Sequence, residues 1–293
     1  MWLLSHNILF WLEQWMPGRV LYYLASYWPT DVDPHIAYWN LPARRFIAEQ
    51  VKRPLRALAL ATLKHEGYPL SLQLLHVISC SEYVRDTLAG AGKISPNSDV
   101  LYIGIDPQPF TDIYQVSTPA NKERLRLLYF GRLIEDKGVH SAVEALGFLK
   151  REGLASRIEL TILGSGHPDY VSRLKTLVHE FDITEQVNFV GKVPRDDIPQ
   201  YLKANDVFLF TSIWHEPFGR TIIEAMLAGL VVIGSDVGGS REIFSHYDEN
   251  LLFPAGDARA LADRIRWLLD NPEAMQDLKQ QGRQLSLEHF DIH

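Results

Sequence analysis

The stretch "RLLYFGRLIEDKGVHSAVEALGFLKREGLASRIELTILGSG", residues 126–166, decides the fold. An apolar run stops at Gly131, and an amphipathic segment with apolar residues at helical spacing follows and closes at Gly153. A second apolar run then ends in Gly164-Ser165-Gly166. Strand, helix, strand is a βαβ unit, and a crossover of that kind joins parallel strands. The alternation continues outward. A helix is expected over "PDYVSRLKTLVHEF", a strand at "VNFVGKV", a helix over "IPQYLKAN", a strand at "VFLFTS", a helix after Gly219 and a strand at "LVVIGSD". Five or more parallel strands predict a Rossmann-like α/β domain, whose ligands sit at the carboxyl ends of the strands.

The first 118 residues are less regular. "VLYYLASYW", "LLHVISCS" and "DVLYIGID" read as buried strands, with a long helical region from Pro42 to Glu66 between them. Pro54 is expected to kink or restart that helix. Its Arg44, Arg45, Lys52, Arg53 and Arg56 make a basic run. A solvated helix face is the preferred reading, and contact with anionic lipid headgroups is the other. The polar, Pro-containing stretch "VSTPANKERLR", residues 116–126, has the character of a linker. It divides the chain into domains 1–118 and 119–293.

A length of 293 residues suits two domains. The net charge of −7 excludes a general nucleic-acid binder, because phosphate-backbone affinity needs concentrated Lys and Arg. Cys80 is the single cysteine, so no intramolecular disulfide can form, cysteine-based zinc clusters are excluded, and a reducing, cytoplasmic setting is expected. The apolar opening "MWLLSHNILFWLEQWMPG" is interrupted by His6, Asn7, Glu13 and Gln14 before the ~20 residues a membrane span needs. It also lacks the features of a signal peptide. Trp2, Trp11, Trp15, Trp28 and Trp39 crowd the first 39 residues. Core packing is the preferred reading of them, with membrane-surface contact as the other.

The chemistry concentrates at strand ends. In "GRLIEDKG", Gly131 allows close backbone approach while Arg132 and Lys137 reach one spot from two sides of a turn, a planar fork and a compact charge suited to phosphate oxygens. Gly164, Ser165 and Gly166 form a second glycine turn, short of a full dinucleotide fingerprint yet able to offer backbone N–H groups to a phosphate. In "HEPFGRTIIEAMLAG", residues 215–229, a turn at Pro217 and Gly219 leads into a short helix over Arg220 to Ala228 that Gly229 stops. Glu216 lies before that helix and Glu224 within it, and both can face one crevice. The helix N-terminus around Gly219, Arg220 and Thr221 suits an anion. His215-Glu216 opens like the zinc-protease H-E-x-x-H, but Gly219 occupies the last position, so that reading fails.

Taken in order, "GRLIEDKG", "LGSG", "VNFVGKV", "HEPFGRTIIEAMLAG", "SDVGGSREI" and "LLFPAGD" resemble the retaining glycosyltransferases of family four, which have the GT-B fold of two Rossmann-like domains. The resemblance implies that Arg132 and Lys137 bind the donor diphosphate. It makes Glu216 and Glu224 the two acids of an E-x7-E motif, the first on the donor sugar and the second on the ribose. Phe218, Gly219 and Arg220 would line the sugar and phosphate pocket, with Val190, Gly191 and Lys192 near the base. The implied reaction moves a sugar from a UDP- or GDP-sugar to a glycan or lipid-linked acceptor hydroxyl with retention, needing no metal or other cofactor. The expected setting is polysaccharide or glycolipid assembly, in the cytoplasm or at the inner face of the membrane.

The chain also departs from the pattern. The family's N-terminal domain begins with a strand and a glycine-rich turn, whereas "WLLSHN" resembles a strand from the middle of that domain, so the N-terminal domain is expected to be incomplete. The end, "LEHFDIH", stops where a crossover helix is expected. Ala25 stands where many members have a histidine, Ile103 where Asn is usual and Val231 where proline is common. A fragmentary or inactive nucleotide-sugar-binding module of the same fold is therefore the alternative. A sugar-nucleotide epimerase or a phosphorylase on this fold is a third reading, but the latter would need a lysine in a context suited to pyridoxal phosphate, and the sequence offers none.

Overall fold

The computed structural model describes residues 6–30, 41–42, 46–65, 73–111, 114 and 124–292. These fall into two compact units, Met1–Leu101 and Tyr102–His293. Residues 116–118, where the boundary was expected, lie outside the described residues. The observed division comes earlier because Ile105 forms a parallel bridge with Asp291 and the short helix after it packs on Arg220–Leu227, tying this segment to the second unit.

The first unit runs α1 (His6–Trp15), β1 (Tyr22–Leu24), α2 (Phe46–His65), β2 (Val77–Ser79), α3 (Glu82–Gly90) and β3 (Asp99–Val100). Its three strands form a parallel sheet in the order β1-β2-β3, with Tyr22 opposite Val77 and Ile78 opposite Asp99. Ser81 caps α3 by accepting the Val84 amide at 3.1 Å. Ala25 is exposed at the carboxyl end of β1.

Three expectations change here. Where "WLLSHN" resembled a strand, its described part, His6 and Asn7, opens a helix, because Ile8, Leu12 and Trp15 recur at helical spacing. Pro54 does not restart α2, which runs as one helix to His65. Pro54 is exposed, so water can take the carbonyl bond its missing N–H leaves open. Core packing of the tryptophans also fails for Trp11 and Trp15, which are 41% and 73% exposed and touch each other with ring centroids 5.7 Å apart. Trp2, Trp39, Arg44 and Arg45 lie outside the described residues.

The second unit runs α4 (Gln108–Thr111), β4 (Leu125–Phe130), α5 (Val139–Arg151), β5 (Ile158–Leu163), α6 (Pro168–Glu180), β6 (Val187–Gly191), α7 (Ile198–Ala204), β7 (Val207–Phe210), α8 (Arg220–Leu227), β8 (Val231–Ser235), α9 (Ser240–Ser245), β9 (Leu252–Phe253), α10 (Ala258–Asp270) and α11 (Ala274–His289). Its six strands are all parallel, in the order β6-β5-β4-β7-β8-β9. Renumbered within the unit, that order is 3-2-1-4-5-6, the doubly wound Rossmann arrangement. The strands are apolar on both faces because helices cover both: Leu127, Leu160, Val207 and Val231 are buried on one face, and Leu128, Phe208 and Val232 on the other. The order in which strands are added to the sheet reverses between β4 and β7, and this switch point is where a crevice is expected at the carboxyl edge.

Among the described residues, no helix is long and apolar enough to cross a membrane.

Candidate functional site

The loops after β4 and β7 meet at this switch point. The Asp136 carbonyl accepts the Ile213 and Trp214 amides at 2.9 and 3.1 Å, and Thr211 Oγ1 donates to the Lys137 carbonyl at 2.8 Å. Gly138 has φ of 60°, and a Cβ there would lie 2.0 Å from the Thr211 carbonyl oxygen, so only glycine lets the loops close this far. Their approach brings together Lys137 and Glu216, 79 residues apart in sequence, in a direct ion pair. Glu216 is 8% exposed and its Oε1 also accepts the Ser212 hydroxyl at 3.0 Å. Its carbonyl accepts the Gly239 amide at 2.9 Å, from the turn after β8.

A cavity of about 1120 Å³ opens at the same carboxyl edge, and neither Lys137 nor Glu216 is in its lining. Gly131, Arg132, Gly164, Ser165, Lys192, Arg220 and Glu224, all singled out from sequence, line it. Arg132, Lys192 and Arg220 bring cations from the ends of β4 and β6 and from the start of α8, which gives an anionic ligand three approaches. Glu224 is pushed above the usual carboxylate range by burial, while Arg195 and Arg220 pull it back. Arg195 reaches it directly, Nη2 to Oε1 at 3.5 Å.

The remaining candidates are distributed differently. Gly166, Val190 and Gly191 line a neighbouring cavity of about 510 Å³, which shares Gly164 and Ser165 with the first. The Gly164 amide does not face a phosphate, since it donates to the Gly191 carbonyl at 2.8 Å and so continues the sheet. The Arg220 amide is likewise engaged, by the Phe218 carbonyl at 3.2 Å. Phe218 does not line the large cavity. Its ring is buried, stacked on Tyr102 at 5.5 Å and edge-on to Phe290 at 5.6 Å. Gly219 and Thr221 begin α8 beside it, outside that lining. Sequence reading passed over Arg195, Ser212 and the wall formed by Pro194, Ile198 and Pro199. The one available signal for these was their place just after strands β6 and β7.

Among the described residues, no group of three or more His, Cys, Asp or Glu side chains is placed to hold a metal ion.

Residues 111–285, more than half of the chain, match the family model of the glycosyl transferases group 1. The chain belongs to this family. Among group 1 relatives, the amylovoran biosynthesis glycosyltransferase AmsK of Erwinia amylovora is 36% identical over 191 residues, covering 64% of this chain and 45% of the relative. The 2-deoxystreptamine glucosyltransferase of Streptomyces kanamyceticus is 30% identical over 67% of this chain and 51% of its own. The chain thus spans about half the length of the curated relatives it matches. Among solved structures, HepE of Anabaena in complex with UDP superposes with a TM-score of 0.64 at 25% identity, over 73% of this chain and 59% of that one. Sucrose-phosphate synthase of Thermosynechococcus elongatus superposes over 98% of this chain and 67% of its own, with a TM-score of 0.68 at 23% identity. The fold of this group 1 chain is that of the GT-B glycosyltransferases.

Proposed function

We propose that the second unit is the donor half of a retaining glycosyltransferase, moving a sugar from a UDP- or GDP-sugar to the hydroxyl of a glycan or lipid-linked acceptor in polysaccharide or glycolipid assembly. The observation that carries this reading is the convergence of Arg132, Lys192, Arg220 and Glu224, from three separate segments, on one cavity at the switch point of the sheet. A nucleoside diphosphate has two parts that fit it. Its phosphates need fixed cations: Arg132 lines the cavity, and Lys137, from the same loop after β4, is the second. Its ribose diol needs an acceptor, supplied by the Glu224 carboxylate. Glu216, held on Lys137, faces the donor sugar, and Val190, Gly191 and Lys192 flank the base.

In the reaction the bond from the anomeric carbon to the phosphate oxygen breaks as the bond to the acceptor oxygen forms on the same face. The acceptor proton passes to the departing phosphate. Arg132 and Lys137 stabilise the charge that develops there, so the chemistry calls for no metal from the protein's side. The UDP complex of HepE and the biosynthetic role in the name of AmsK support the substrate class. A cytoplasmic setting, with the acceptor drawn from the inner face of the membrane, completes the proposal.

The test is calorimetric titration of the chain with UDP, GDP and ADP in the absence of divalent metal, repeated on Glu224→Ala and Lys137→Ala. One nucleotide is expected to bind, and each substitution to weaken it by about tenfold or more, the worth of a charge-assisted hydrogen bond. A folded protein that binds none of the three, or variants that bind as the wild type does, would overturn the reading.

A further inference from the structure

Behind Glu216 the protein has built a support of small hydroxyls. Ser235, at the end of β8, is fully buried and donates to the Ser212 carbonyl at 2.6 Å. Ser240, also fully buried, donates to the Val237 carbonyl at 2.5 Å and lies 3.1 Å from that of Ser235, fixing the turn between them. Ser212 is 2% exposed, and its hydroxyl lies 3.0 Å from Glu216 Oε1. The carbonyls of Asp136 and Trp214 are also within its reach, both at 3.1 Å. A hydroxyl has one hydrogen to give, and of these three acceptors the carboxylate is the charged one and binds it most strongly.

The same turn holds the Glu216 backbone. Gly239 donates to its carbonyl, and Gly238 passes so close that a Cβ there would lie 2.2 Å from that oxygen. Glu216 is therefore gripped at its main chain and its side chain by elements at the ends of β7 and β8. Lys137 comes from β4 and touches the same Oε1 that Ser212 does. Oε2 is left as the oxygen that can turn toward a ligand.

We infer that Ser212, backed by Ser235, is a positioning residue that orients the Glu216 carboxylate toward the sugar of the donor. Neither serine, nor Glu216 itself, is in the lining of the large cavity; Ser212 touches Glu216 and Ser235 touches Ser212, so both act through Glu216. This rests on the donor reading above, with Glu216 on the sugar, and it separates binding of the nucleotide from binding of the sugar attached to it. A support lost behind Glu216 reduces only the latter.

The experiment is titration of the full chain and of Ser212→Ala, Ser212→Cys and Ser235→Ala with UDP and UDP-glucose, and with GDP and GDP-mannose. For whichever nucleotide binds, Ser212→Ala is expected to leave its affinity unchanged and to weaken the matching nucleotide sugar about three- to tenfold, up to the worth of one hydrogen bond to a charge. Ser212→Cys, nearly the same size with a weaker donor, is expected to fall between, and Ser235→Ala to act in the same direction more weakly. In a Glu216→Gln background, Ser212→Ala should have no further effect on the nucleotide sugar, since the residue it acts through is already altered. Equal losses on nucleotide and nucleotide sugar would make Ser212 a merely structural residue and overturn the inference, as would no loss at all or an undiminished effect in the Glu216→Gln background. A wild-type chain that binds none of the four overturns the donor reading and this inference together. One that binds UDP with dependence on Glu224 but ignores Ser212 overturns this inference alone.

Discussion

Glu224 stands where its surroundings resist a charge. Its side chain is 14% exposed, and burial raises its carboxyl against the pull of Arg195 and Arg220. A carboxyl raised by folding adds stability below its unfolded value of about 4.3 and loses that contribution as pH climbs through the raised one. Glu224→Gln is therefore expected to gain on the wild type in melting temperature as pH rises above about 4.3 while losing nucleotide affinity, a trade of function against stability. Thermal scans from that pH upward check it, and a difference that does not grow with pH would count against it. Arg195 presents the opposite case. Its side chain is 79% exposed, so its pair with Glu224 is of the solvent-screened kind, worth about 0.2–1 kcal/mol. Arg195→Ala is expected to free Glu224 and tighten nucleoside diphosphate binding by at most about fivefold, with the gain shrinking as salt is added. Weaker binding in the titration would instead mean that the guanidinium touches the ligand.

At the scale of elements, the two edges of the large sheet carry different duties. At the edge away from the cavity, Asp206 precedes β7, is 2% exposed and pairs with Arg126 of β4 at 3.1 Å, while Lys279 of α11, itself buried, approaches to 3.9 Å. Asp206→Asn removes the anion that two cations share, and a loss of about 3–5 kcal/mol is expected in urea denaturation. Nucleotide affinity of the folded variant should stay as it was, because the cavity is at the other edge. At the cavity edge, Gly238→Ala sets a Cβ against the Glu216 carbonyl from a left-handed backbone, and both stability and nucleotide-sugar affinity are expected to fall. The order of strands and helices in this unit was legible because the apolar runs and amphipathic stretches alternate with glycine stops. For α1 the pattern was ambiguous, since a short apolar run reads alike as a buried strand or as one side of a helix. The glycines and charged residues at strand ends could also be named from sequence. Which of them meet could not, because Lys137 finds Glu216 only once β4 and β7 lie side by side. Ser212 and Arg195 stayed hidden for the same reason, as nothing in "TSIW" or "VPRDD" says where a side chain turns.

Over the whole molecule, the residues that line the large cavity all belong to the unit Tyr102–His293. A chain cut to residues 102–293 is accordingly expected to bind the same nucleotide as the full chain within about twofold, a difference of about 0.4 kcal/mol by titration. A far larger loss would mean that residues before Tyr102 complete the nucleotide site. The site itself is built unevenly. Around Glu216, Gly138 and Gly238 are fixed by backbone clashes and Ser235 and Ser240 by buried hydroxyl bonds, whereas in the cavity lining Lys192, Pro194, Arg195 and Asp196 are exposed. Substitutions in that exposed segment cost little stability, usually within about 0.5 kcal/mol. Natural drift and laboratory selection therefore have unequal freedom in the two places: one resists almost any change, and the other can be rewritten residue by residue, so new donor preferences should arise first between Lys192 and Asp196.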